Sequence, residues 1–387
     1  MMSSVLAAVN DGAASNAASE TRPAAAEQRL VQKVVLPGQT PQGEPILSVL
    51  VKRTYDIVPG KRCLRAVQDR KVIPGDVPWG NPLNTCVRYE SDFVPFKLAT
   101  DVVLDGKAYA PDGVSTTSCE VFLQVADRCK RVLVIGDRVA RHVRDGTPVF
   151  TDPQPFTTME LRYERAYGGT DVYSDKSTIY AYPRNPRGCG FVVANKPESV
   201  DGLALPNLED PNHRLTPEGL CLGSYARWEK QPMPMGFGWF PKTWQPRAGF
   251  AGIMPGDRAT EKELRAAYAQ LVPSAQREAY VTHGLPDMNF RFFSGASSGL
   301  DLPFLNGTEE VALHNLSPDG SLSFWLPGGE PRIGLDIGSG LQEAKAVLHT
   351  VMIHAEQRQV DLVWRGAVPY PGPDWLPQMR KMEVEVI

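Results

Sequence analysis

Residues 97–106 read KLATDVVLDG and residues 118–137 read SCEVFLQVADRCKRVLVIGD. In the first stretch Leu98, Thr100, Val102 and Leu104 alternate with Lys97, Ala99, Asp101 and Val103, the spacing that places one set on each face of a strand. Asp105-Gly106 then offers a two-residue turn that tolerates positive φ, so a strand-turn-strand unit is predicted. In the second stretch Cys119, Val121, Leu123 and Val125 share a face, Asp127 and Arg128 turn the chain, residues 131–135 return, and Gly136-Asp137 turns it again. A meander of antiparallel strands over 97–143 is therefore expected.

The same grammar extends outward. Residues 45–58 contain ILSVLV and TYDIV, and Pro59-Gly60 marks a reversal into 61–67, a second hairpin. Towards the other end, 311–316 and 321–326 flank Ser317-Pro318-Asp319-Gly320, and 335–337, 346–353 and 360–365 continue the strand pattern. Thr260 and Glu263 form a capping-box pair, with Leu264, Ala267, Tyr268 and Leu271 at helical spacing until Pro273, which predicts a helix over 261–271. Strands without β-α alternation make the class mainly β, with antiparallel sandwich or barrel-like sheets and one or two helices. Residues 164–258 are dense in Pro, Gly and aromatics with little periodicity, and must pack through their own aromatic side chains.

The 387 residues include 34 glycines and 34 prolines, which argues against a helical bundle. A formal net charge of −3 leaves no field to gather nucleic acid or an anionic membrane. No run of apolar residues is long enough for a spanning helix, and the start, MMSSVLAAVNDGAASNAASE, lacks the basic residues of an export signal. The six cysteines (Cys63, Cys86, Cys119, Cys129, Cys189 and Cys221) include no C-x-x-C pair and read as reduced, mostly buried thiols of a cytoplasmic protein. The Ala/Ser-rich stretch 1–28 reads as a flexible tail, followed by a β-rich region over 29–163, the irregular region with its helix over 164–284, and a second β-rich region over 285–387. Residues 29–387 can also be one continuous domain.

Chemistry-bearing patterns are few. Gly295-Ala296-Ser297-Ser298-Gly299 matches the G-x-S-x-G of a nucleophile elbow, and a strand is expected before it at 289–293, but Leu300-Asp301-Leu302-Pro303 after it does not open a helix. A plain loop is the better reading. His349 and His354 are five apart, which on a strand places them on opposite faces, and the six histidines read as surface or turn residues with no metal site. No phosphate-binding glycine loop occurs, so no nucleotide cofactor is expected. In Arg162-Tyr163-Glu164-Arg165 the glutamate is expected to pair with either arginine. Glu164, Glu209 and Asp210 are the acids on which a glycan hydrolase would have to be built, with Ser297 the alternative for an ester.

An ordered series of motifs runs through the irregular region and beyond it. It comprises Tyr163-Glu164-Arg165-Ala166-Tyr167-Gly168-Gly169, then YPRNPRGCGF over 182–191 (with Arg184, Asn185, Gly188 and Gly190), then LPNLEDP over 205–211 (with Asn207 and Glu209). WFPKTWQPR over 239–247, LPDMNFRFF over 285–293 and VALHNLSPDGSLSFWL over 311–326 follow. This series resembles a bacterial domain-of-unknown-function family encoded beside type VI secretion spike genes, whose members act as effector adaptors or chaperones. The resemblance implies a cytoplasmic, non-catalytic protein that binds an effector or its PAAR-type domain and helps load it on the VgrG spike. It brings no catalytic residues. Arg162, Glu164, Arg184, Asn185 and Asn207, together with Arg165, Gly168, Gly169, Gly188, Gly190 and Glu209, are read as braces of the loops. Met233, Met235, Phe237, Trp239, Phe240 and Trp244, adaptable apolar side chains set between prolines, are the first-choice cargo surface, with loop anchoring as the competing account.

Overall fold

The structure is a computed structural model and describes residues 32–40, 44–94, 96–144, 146–252, 289–336, 340–370 and 383–386. The predicted tail at 1–28 and the predicted helix at 261–271 lie outside the described residues. The fold is mainly β, as the alternation predicts. In chain order the strands of its two large sheets are β1 (Gln32–Gln39), β2 (Pro45–Asp56), β3 (Leu64–Arg65), β4 (Thr100–Asp105), β5 (Ser118–Val125), β6 (Arg128–Ile135), β7 (Leu208–Glu209), β8 (Asp301–Leu302), β9 (Glu310–Ser317), β10 (Gly320–Trp325), β11 (Val347–His354) and β12 (Gln359–Pro369).

One sheet runs β1-β2-β12-β11-β4-β8 with β3 beside β2, and the other runs β7-β6-β5-β9-β10. Each takes strands from both ends of the chain, so the two β-rich regions read from the sequence interleave. Their inner faces share one core, in which Leu47, Val49 and Val102 of the first sheet join Val121, Leu123 and Leu313 of the second. β5 and β6 pair from Ser118↔Ile135 to Val125↔Arg128, and the burial of β5 alternates as its sequence predicts. The reversal is made by Ala126 and Asp127, one residue earlier than read, with Ala126 at φ 51°. β9 and β10 close over Pro318-Asp319, as that turn chemistry requires.

The Asp105-Gly106 turn does not make a hairpin. β4 is hydrogen-bonded to β11 on one edge, in parallel, and to β8 on the other, so both edges are taken. The chain after Gly106 leaves the sheet, and its next strand, Lys107–Tyr109, pairs with Thr158–Glu160. Nor is one face of β4 exposed, because every residue in it is buried. Val102 and Leu104 face the shared core, while Val103 meets Trp239 and Met352 on the outer side, where the irregular region covers the sheet. That cover also buries Lys97 with Asp101, whose 2.6 Å ion pair lies under the Trp239 ring.

The irregular region builds a second core of its own around Tyr167, Tyr182, Phe191 and Trp228. Tyr182 is its hub, with ring centroids at 5.1 Å from Tyr167, 5.5 Å from Phe191 and 6.3 Å from Trp228. Aromatic packing supplements the short two-residue ladders of this segment. Residues 289–293, expected to be a strand, instead form a 3₁₀ turn at Phe290–Phe293, because the Asn289 side chain accepts the Arg291 N–H and caps it.

Candidate functional site

Residues of the first three motifs converge on one braced junction. Tyr163–Arg165 is a single 3₁₀ turn, after which Tyr167–Gly168 pairs in parallel with Cys189–Gly190. Asn185, fully buried, ties the two motifs together: its Nδ2 donates to the Tyr163 carbonyl at 2.8 Å and the Tyr167 carbonyl at 3.1 Å, and its Oδ1 accepts the Arg187 N–H at 3.2 Å. Gly168 sits at φ 149°, and any Cβ there would overlap the Asn185 carbonyl oxygen, so only glycine lets the strands approach.

The third motif is bound to the same junction. Asn207 donates to the Ile135 carbonyl at 2.9 Å and to Asp137 at 3.0 Å, and accepts from Arg165 at 3.0 Å. Glu209 is buried against Arg138, with Arg214 at 3.5 Å. Burial pushes the Glu209 carboxyl above its ordinary range, and the two guanidiniums oppose that shift. Arg184 donates to the carbonyls of Glu229 at 3.1 Å and Gln231 at 3.2 Å while lying 5.0 Å from the Trp228 ring.

The expected pairing of Glu164 with its flanking arginines is replaced. Glu164 accepts the Cys86 N–H at 2.6 Å, Arg162 pairs with Glu160 at 2.7 Å above the Trp79 ring, and Arg165 pairs with Asp137 at 3.1 Å. In a 3₁₀ turn successive side chains point about 120° apart, so neighbours in sequence find different partners.

This junction floors a cleft of about 750 Å³. Its wall carries Asp137, Arg138, Arg141, Glu164, Arg165 and Asn207, with Val139, Ala204 and Leu205 as its apolar part. A smaller cleft of about 350 Å³ adjoins it through Cys189 and Ala204, and is lined by Arg187 and the backbone of Gly168, Gly169, Gly188 and Gly190. Asp137, Arg141, Gln154 and Arg187 are exposed along these walls, so both clefts open to solvent. Burial pushes the Cys189 thiol up to about 12, which keeps it protonated at neutral pH. Mixed charge, amide and apolar lining of this kind suits binding. Among the described residues no group of His, Cys, Asp and Glu is arranged to hold a metal ion.

The other residues singled out from sequence lie elsewhere. Phe237, Trp239, Phe240 and Trp244 are buried, at 0 %, 5 %, 8 % and 4 % exposure, and Met233 and Met235 are half-buried. They are therefore not an open cargo surface. Phe237, Phe240 and Trp244 belong to the shared core, Met235 packs against it, and Trp239 caps the outer face of β4, because an irregular segment is held only by such anchors.

Ser297 is also buried, at 1 %, and hydrogen-bonded to the Lys130 amine, which donates to the Ser298 carbonyl at 2.7 Å as well. It is followed by β8 rather than a helix, so it is not a nucleophile elbow. His349 and His354, read as surface residues, are both 3 % exposed: His349 stacks on Phe304, and His354 lies 3.1 Å from Asp361. All six cysteines are free thiols, with Cys129 exposed.

Residues 42–365 match the family described as an uncharacterized protein conserved in bacteria, DUF2169. The chain belongs to this family. The match takes in the junction, both clefts and both sheets apart from β1 and the end of β12, so the braced site lies wholly within the family's extent. No curated protein and no solved structure matches the chain. Sequence reading missed Asp137, Arg138 and Arg141, which enter the cleft from the turn after β6. Their signal was the Gly136-Asp137 turn, but nothing local ties that turn to the distant 163–209 motifs.

Proposed function

We propose that this chain is a non-catalytic adaptor or chaperone. In this reading it binds a type VI secretion effector, or its PAAR-type domain, in the bacterial cytoplasm and helps load it on the VgrG spike. The observation that carries the reading is the convergence of the first three motifs of the series on one solvent-open junction, where Glu209, Arg138, Arg165 and Asn207 brace one another and the adjoining turns. Glu209 is held by Arg138 and Arg214, and one oxygen of Glu164 by the Cys86 amide, which argues against the two acting as a free acid pair for glycan hydrolysis. Ser297 is sealed in the core, away from any ester.

The test is size-exclusion chromatography with light scattering on this protein mixed with the product of the neighbouring effector gene. A stable co-eluting complex is expected. Separate elution with a well-folded cargo would overturn the adaptor reading and return attention to hydrolase assays. Deletion of the gene should silence secretion of its own cargo alone, whereas loss of every cargo would instead mark a structural part of the apparatus.

A further inference from the structure

The two adjoining clefts are more basic than the protein around them. Four arginines (Arg138, Arg141, Arg165 and Arg187) line them against the carboxylates of Asp137 and Glu164, in a chain whose formal net charge is −3. Two of the four are committed: Arg138 to the buried Glu209, and Arg165 to Asp137 and Asn207. Arg141 and Arg187 are exposed, and neither makes a salt bridge to an acid among the described residues. Each stands on a braced element, Arg141 on the Ala140–Arg141 ladder with Val149–Phe150 and Arg187 beside the Asn185 hub, so little order has to be created on binding.

We propose that this double cleft docks an acidic segment of a partner polypeptide, with its carboxylates on Arg141 and Arg187. The guanidinium fork matches a carboxylate with two parallel hydrogen bonds. Beside Arg187 the wall carries the backbone of Gly168, Gly169, Gly188 and Gly190, which lets another chain approach closely, and in the adjoining cleft Val139, Ala204 and Leu205 beside Arg141 receive the apolar part of a side chain. A nucleic acid is the poorer fit, because Asp137 and Glu164 interrupt the basic surface where a phosphate backbone would run. The proposal names the docking site of the adaptor reading and rests on it for the partner's identity, though the site can be probed without that partner.

Fluorescence anisotropy of a labelled hexaglutamate peptide titrated with the full chain reads the site directly. Binding should weaken as salt is added and should be absent for hexaglutamine. The doubly substituted Arg141→Glu, Arg187→Glu protein should bind about tenfold or more weakly, with an unchanged far-ultraviolet circular dichroism spectrum. Arg128→Glu, at the exposed β5–β6 turn, should leave binding as it was.

No peptide binding, equal binding by wild type and the double variant, or full competition by equimolar inorganic phosphate would each overturn the proposal. Cargo that co-elutes equally with both proteins would remove this docking site and leave the adaptor reading standing. Peptide binding without cargo co-elution would do the reverse.

Discussion

Lys130 illustrates how far one side chain's surroundings can differ from those of its neighbours in sequence. It stands on β6 in a basic run, RCKR, that looks solvated, yet it points into the core onto Ser297. Burial pulls its amine down from 10.5 to about 7. Between those values the unfolded chain carries a proton that the folded chain has released, so stability rises with pH across the window from about 7 to 10.5 and is lost as pH falls through it. Lys130→Met keeps the stem and removes the titration. Its denaturant midpoint, followed by tryptophan fluorescence, should change less than that of wild type between pH 7 and 10. Parallel curves for the two proteins would show that the amine is not desolvated. Asn185 makes the complementary point, because one buried amide satisfies the carbonyls of Tyr163 and Tyr167 and the N–H of Arg187.

At the scale of elements, segment 233–244 and strand β4 explain one another. Trp239 helps bury the outer face of β4 by covering Val103, and the segment is in turn anchored by the sheet it covers. Trp239→Ala should therefore cost stability, by about 3–5 kcal/mol as for other buried aromatics, rather than cargo affinity alone. Chemical denaturation checks this. A variant with wild-type stability and weakened cargo binding would restore the surface reading of that tryptophan. The Lys97–Asp101 pair beneath the ring would then be exposed to water, and its 2.6 Å contact would no longer be shielded.

At the scale of the whole molecule, β2 is hydrogen-bonded to β12 from the far end of the chain, and β5 to β9, so neither sheet closes without both ends. The second core around Tyr182 is welded to this sandwich through β7, which pairs with β6 and continues from Asn207. Unfolding should accordingly be one cooperative transition, with far-ultraviolet circular dichroism and tryptophan fluorescence giving the same midpoint. Two separated midpoints would show that residues 164–252 fold as an independent unit.

The mainly-β class, the β5–β6 and β9–β10 hairpins and the self-packing of the irregular region were legible in the sequence, because each rests on local periodicity or on turn residues with their own mechanism. The ordered motif series was legible for the same reason, as short contiguous runs. The partner of β4, the burial of Trp239 and Ser297, and the descent of Lys130 into the core were not. Which edge a strand pairs on and which of its faces is covered depend on segments hundreds of residues away, and a period of two fixes only that the faces differ. The cleft belongs to this second category. Nothing local relates Arg141 to Arg187; tertiary structure sets the turn after β6 against the glycine junction and places the two on adjoining clefts.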